Sequence, residues 1–160
     1  MERRKPMRLA YFDYSGPGAY FVTICAAWRG SVFGRVREGV RLNECGRLVV
    51  DALSTIPDHH DVEIDTSIVM PDHVHAIVVL SSGARREPLS AVVGAFKARV
   101  ARHLRRAVWQ RSFYDHVIRD DADLERVREY IETNPLRWSL RERAEGPGPD
   151  RSGPYDDVGW

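Results

Sequence analysis

The chain has 160 residues, 43% hydrophobic and 29% charged: enough apolar content for the core of one domain, and too much for a disordered chain. No apolar run approaches the ~18 residues of a membrane span. The basic start Met1 to Pro6 lacks the apolar stretch of a secretory signal, and two cysteines, Cys25 and Cys45, exclude a disulfide framework or a four-cysteine zinc site, so a reducing cytoplasmic setting is expected. The net charge of +1 averages a basic centre, nine Lys/Arg against two acids over residues 85–119, with a basic start and an acidic end. Such a patch suits a polyanion, and equally a solvated helix face.

In chain order, Ser15-Gly-Pro-Gly18 signals a turn before the β-rich run Tyr20 to Cys25. Val32 to Leu42 alternates around Glu38-Gly39 and predicts a short hairpin. Asn43 is placed to cap a helix over Glu44 to Ile56, where Leu48, Val49, Ala52, Leu53 and Ile56 recur at helical spacing before Pro57. Val62 to Met70 and Val74 to Leu80 predict strands separated by Pro71-Asp72. A second amphipathic helix spans Leu89 to Leu104. A strand-like run lies within Trp109 to Ile118, and a third helix runs from Ala122 to about Thr133, stopped by Asn134-Pro135. The folded domain is expected to cover residues 1–142, with its body from about residue 8. The Gly/Pro-rich tail 143–160 is expected to be disordered. The element order predicts an α+β, ferredoxin-like antiparallel sheet with helices on one face, plus an extra C-terminal helix carrying Tyr130.

Two features carry chemistry. In a strand, His73 and His75 point to the same face, where two imidazoles can chelate one divalent metal; they can also be two ordinary strand histidines. Tyr130 and Asn134 lie one helical turn apart on one face. A tyrosine beside a metal can act as a nucleophile, and an amide oxygen suits a hard cation. The pair is also consistent with a core tyrosine and a helix-capping Asn. Tyr114 is the serious rival tyrosine, in the basic segment near Trp109 and Phe113. His59-His60 reads as a loop pair near a helix end, and His103 and His116 as surface residues.

His73-Val74-His75 is the His-hydrophobe-His pattern of HUH endonucleases. With Val69-Met-Pro-Asp72 before it, Phe96-Lys97, Trp109-Gln-Arg111, Tyr114-Asp-His116 and Arg128-Glu-Tyr130-Ile-Glu-Thr-Asn134-Pro135 after it, and Tyr14 to Thr23 and Leu42-Asn43 at the start, the chain resembles the REP-associated tyrosine transposases over residues 8–140. The resemblance implies metal-dependent cleavage and rejoining of single-stranded DNA at hairpin-forming repeated extragenic palindromes, through a 5′-phosphotyrosine. It implies Tyr130 as nucleophile, and His73, His75 and Asn134 as ligands of Mg²⁺ or Mn²⁺. Some relatives carry Gln at that last position, one methylene longer than Asn134. It also implies a monomer or a homodimer.

Basic and aromatic side chains are the candidates for holding DNA. Lys97, Arg102, Arg105 and Arg106 suit phosphates, Trp109 and Tyr114 suit stacking on unpaired bases, and Arg3, Arg4 and Arg8 suit a gripping N-terminal arm. Asp72, Glu129 and Glu132 are the candidates to assist loss of the tyrosine proton, since an unperturbed phenol has a pKa of ~10. The competing readings are a DNA-hairpin-binding module without catalysis and a water-using metal-dependent nuclease. An ordinary zinc hydrolase is disfavoured, because no third ligand stands at familiar zinc spacing.

Overall fold

The computed structural model describes residues 18–83 and 87–145. The proposed N-terminal arm of Arg3, Arg4 and Arg8, and residues 146–160 of the tail, lie outside the described residues. The elements are β1 (Gly18–Cys25), a hairpin of β2 (Gly34–Val36) and β3 (Val40–Leu42), α1 (Glu44–Ser54), α2 (Ile56–His59), β4 (Val62–Val69), β5 (His73–Leu80), α3 (Leu89–Leu104), β6 (Tyr114–Ile118) and α4 (Asp121–Glu145). One sheet runs in the order β4-β5-β1-β6, every neighbour antiparallel. Apart from the inserted hairpin, this is the expected ferredoxin-like plan.

Strand alternation divides the core in two. Tyr20, Val22 and Ile24 of β1 share one face with Val74, Ala76, Val78 and Leu80 of β5, and pack under α1 and α3 through Val49, Leu53, Val92, Val93, Phe96 and Val100. On the other face, Phe21 and Ile77 meet Val127, Tyr130 and Ile131 of α4. The α4 residues recur at i, i+3, i+4, so one stripe of the helix seals that face. Each such burial stabilises by ~1.5–3 kcal/mol, which outweighs any surface ion pair in docking α4. Arg128 adds a clasp: its Nε and Nη2 donate to Asp65 of β4 at 2.8 and 2.5 Å. That guanidinium holds the Asp65 carboxyl below its usual range. At the helix start, the Asp120 side chain accepts from the Asp123 N–H (2.8 Å), and Asp123 pairs with His116 of β6 (2.9 Å).

Local sequence explains the remaining joints. The β2–β3 turn places Glu38 and Gly39 at φ +49° and +105°, the left-handed pair that a tight hairpin needs. Asn43 caps α1 by accepting from the Gly46 N–H (2.9 Å) and also donates to the Val32 carbonyl (3.0 Å), tying the helix to the chain before the hairpin. Gly46 permits that approach, because a Cβ there would lie 2.1 Å from the Phe33 carbonyl oxygen.

Two helix boundaries depart from the sequence expectation. α1 ends at Ser54 rather than at Ile56, and Pro57 lies in the first turn of the separate short α2, a position where proline's missing N–H costs nothing. More consequentially, α4 does not stop at Asn134-Pro135 but continues to Glu145, also past the expected domain end at 142. Proline in a helix interior costs ~3 kcal/mol or more. Packing on both sides offsets this: Ile131 is sealed on the sheet before it, and Trp138 reaches His73 after it.

Candidate functional site

His73, His75 and Thr23 all point to the α4 face of the sheet. Thr23 of β1 pairs directly with His75 of β5, and Cys25 with His73. The two histidine Nε2 atoms lie 3.1 Å apart. Each outer nitrogen is anchored: His73 Nδ1 to the Asp72 carboxylate at 2.8 Å, His75 Nδ1 to the Thr23 hydroxyl at 2.7 Å. His75 and Thr23 are fully buried. Burial pushes the His75 pKa well below 6.5, with His73 and Arg141 adding to it, so the ring is neutral. Burial also pushes the Cys25 thiol up to about 11, which leaves it a protonated neighbour of the pair.

These donors fit a small divalent cation. At metal–nitrogen bonds of ~2.0–2.1 Å, two adjacent ligand nitrogens lie ~3.0–3.4 Å apart, and both outer nitrogens already have the hydrogen-bonded partners typical of ligating histidines. Among the described residues, no group of three or more His, Cys, Asp or Glu side chains is placed to hold a metal. A cation on His73 and His75 therefore draws its other ligands from amide oxygen, water or substrate. Asn134 is buried one turn beyond Tyr130 on the same face of α4.

Tyr130 sits over the pair. Its ring centroid is 5.5 Å from that of His75 and 5.9 Å from Phe21, edge-on to both. Tyr114 is on the same sheet face, directly opposite Thr23 on β6. That puts it two strands from His75, ~10 Å at ordinary strand spacing, so Tyr130 is the nearer tyrosine. Of the candidate proton acceptors, Asp72 is engaged with His73, while Glu129 and Glu132 are exposed on the solvent side of α4.

The sequence reading missed the second half of α4 because it ended the helix at Pro135. Arg137 places its guanidinium 4.9 Å from the Tyr130 ring centroid, a cation–π contact. The Trp138 ring lies 6.0 Å from His73. Spacing on a continued helix would have found Trp138, which follows Asn134 by four residues. Thr23 carried no such signal, since only the strand register pairs it with His75.

Among the described residues, the basic candidates are not brought to the histidines. Lys97 and Arg102 belong to α3 on the opposite face of the sheet, with Arg105 and Arg106 just past its end. Lys97 Nζ donates to the carbonyls of Gln110 (2.6 Å) and Ser112 (3.4 Å), bracing the loop before β6. Arg102, Arg105 and Arg106 are exposed, and Arg106 stacks 5.0 Å over Trp28. Trp109 packs against Phe33 and Phe96, which makes it largely a core residue. The loop after α3 nevertheless reaches the sheet end that carries the site. Ala27 N–H donates to Val108 (2.6 Å), and the adjacent Ala26 N–H to Asp72 (2.8 Å).

Comparison with known proteins agrees with this fold. The chain is 29% identical to an uncharacterised Haemophilus influenzae protein, over 86% of this chain and 91% of that one. It is 24% identical to a second protein of that organism, provisionally named a REP-associated tyrosine transposase, over 78% and 74% of the two chains. A solved REP-associated tyrosine transposase bound to a REP hairpin superposes with a TM-score of 0.68 at 23% identity, over 91% and 92%. A provisionally assigned transposase of Deinococcus radiodurans R1 superposes with a TM-score of 0.51 at 19% identity, over 83% and 97%. The sequence profile of the IS200-like transposases matches residues 32–134, through both histidines, Tyr130 and Asn134; the chain belongs to the IS200-like transposase family.

Proposed function

We propose that this chain cuts and rejoins single-stranded DNA at hairpin-forming repeated palindromes, with Tyr130 as the nucleophile and a divalent cation, Mg²⁺ or Mn²⁺, held by His73, His75 and Asn134. The observation that carries the reading is one buried constellation: two imidazole Nε2 atoms 3.1 Å apart, with the Tyr130 ring 5.5 Å from His75. The solved relative bound to a REP hairpin supports the choice of substrate. A bound cation would polarise the scissile phosphate and neutralise charge that develops on it.

The chain's own residues supply the rest. Asp72 and Thr23 fix the two imidazole planes. Arg137 packs its guanidinium against the Tyr130 ring. The phenolate oxygen attacks phosphorus in line, a P–O bond to Tyr130 forms, and the bond to the 3′-oxygen breaks. The products are a 5′-phosphotyrosine and a free 3′-hydroxyl. The covalent link conserves the phosphodiester's energy, so attack by another 3′-hydroxyl rejoins strands and releases Tyr130 without ATP. Because α4 docks on its own sheet, one chain holds every named residue, which favours a site complete within a monomer. Tyr130 is only 3% exposed, so the segment beyond Pro135 must shift for a phosphate to reach it.

End mapping on a labelled hairpin oligonucleotide tests this. The expected products are one fragment with a free 3′-hydroxyl and one whose 5′ end is blocked by protein. A free 5′-phosphate would indicate a water-using nuclease, and binding without cutting a hairpin-binding module.

A further inference from the structure

We infer that Thr23 is a positioning residue for the cation site, its hydroxyl turning from donor to acceptor so that His75 can present a bare Nε2. The inference rests on the reading of His73 and His75 as ligands. A carboxylate only accepts, so the 2.8 Å contact with Asp72 places a proton on His73 Nδ1, and where that ring is neutral its Nε2 is bare. The 3.1 Å contact between the two Nε2 atoms is then a hydrogen bond only if His75 carries its proton on Nε2. In that state His75 Nδ1 is bare and accepts the Thr23 hydroxyl at 2.7 Å.

Cation binding requires both Nε2 lone pairs. The His75 proton must then reside on Nδ1, and Thr23 Oγ1 must accept it. One proton leaves Nε2 and one arrives at Nδ1, so the neutral ring changes tautomer with no net proton gained or lost. A hydroxyl serves both states by rotating about one bond, whereas a carboxylate would lock one of them. Thr23 and His75 are both 0% exposed, so water is not at hand to replace the hydroxyl. Their direct pairing across β1 and β5 holds the partners at bonding distance without side-chain search.

The test uses the full chain and the variants Thr23→Val and Thr23→Ser. Long-range ¹H–¹⁵N spectra of metal-free protein should show His75 as the Nε2–H tautomer, and added Zn²⁺ should convert it to Nδ1–H. Thr23→Val should weaken Mn²⁺ binding, read by calorimetry, about 10- to 100-fold, while Thr23→Ser should keep wild-type affinity. An Nδ1–H tautomer before metal is added, or wild-type Mn²⁺ affinity in a folded Thr23→Val, overturns the role of Thr23 alone. Equal loss in the Ser variant overturns it too, since the hydroxyl is retained there. Absence of wild-type binding that depends on His73 overturns the site reading itself, and the tautomer exchange with it.

Discussion

Lowering the pH below the ordinary histidine value should destabilise the chain through His75. Its folded pKa is pushed well below 6.5 by burial, then by His73 and Arg141. In the unfolded chain the ring takes up a proton as the pH falls through 6.5, while the native ring stays neutral. The stabilisation is thus present above that value and is lost as the pH falls toward the folded pKa. For one proton the limiting slope is about 1.4 kcal/mol per pH unit, and complete burial leaves no solvent screening to discount it. The perturbation that isolates this proton is His75→Phe, whose ring can pack beside Phe21 and Tyr130. Denaturant melts of both chains, with chelator present, at pH 7.5 and 5.5 give the difference in unfolding free energy. Other titrating groups largely cancel in that difference. It should move in the variant's favour by about 1 kcal/mol as the pH drops. A difference independent of pH would mean that native His75 titrates like an exposed histidine, and the burial argument would fail.

Three further predictions concern how the site is assembled. Ile131→Ala should cost about 2–5 kcal/mol in denaturant melts, because the residue is sealed between α4 and the sheet; a loss of about 0.5 kcal/mol or less, the surface range, would show that α4 is only loosely docked. Gly46→Ala should lower the melting temperature, since its Cβ would meet the Phe33 carbonyl at 2.1 Å, whereas Gly94→Ala on the exposed side of α3 meets nothing within 4 Å and should stabilise by about 0.5–1 kcal/mol; equal effects at the two sites would refute the close approach of α1. Trp138→Ala should speed the first turnover on a hairpin oligonucleotide several-fold by uncovering His73, and a slower first turnover would assign Trp138 to DNA binding instead.

Periodicity and turn chemistry made most of the fold legible. The β-rich runs of β1 and β5, the Glu38-Gly39 turn and the Asn43 cap each reported a local preference that the structure retains. The His73/His75 pair was legible for the same reason, since strand geometry alone puts both rings on one face. What failed was non-local. Pro135 read as a stop because the packing that carries α4 through it, Ile131 on the sheet and Trp138 on His73, lies in tertiary contacts. Arg137 and Trp138 were lost with that half-helix. The basic run read as one patch, yet Lys97 is spent on the carbonyls of Gln110 and Ser112, and α3 lies across the sheet from the histidines. Charge counted along a chain does not tell which face a helix takes.

Covalent trapping decides whether Tyr130 attacks DNA. Wild type and Tyr130→Phe are each incubated with a 5′- or 3′-labelled single-stranded hairpin from the repeats flanking the gene, with Mg²⁺ or Mn²⁺, and resolved on a denaturing gel. The expected result is a protein–DNA adduct that requires the cation, disappears in the variant and retains the label on the 3′ side of the cut. Cutting by Tyr130→Phe at the wild-type rate, with no adduct in either protein, would contradict it.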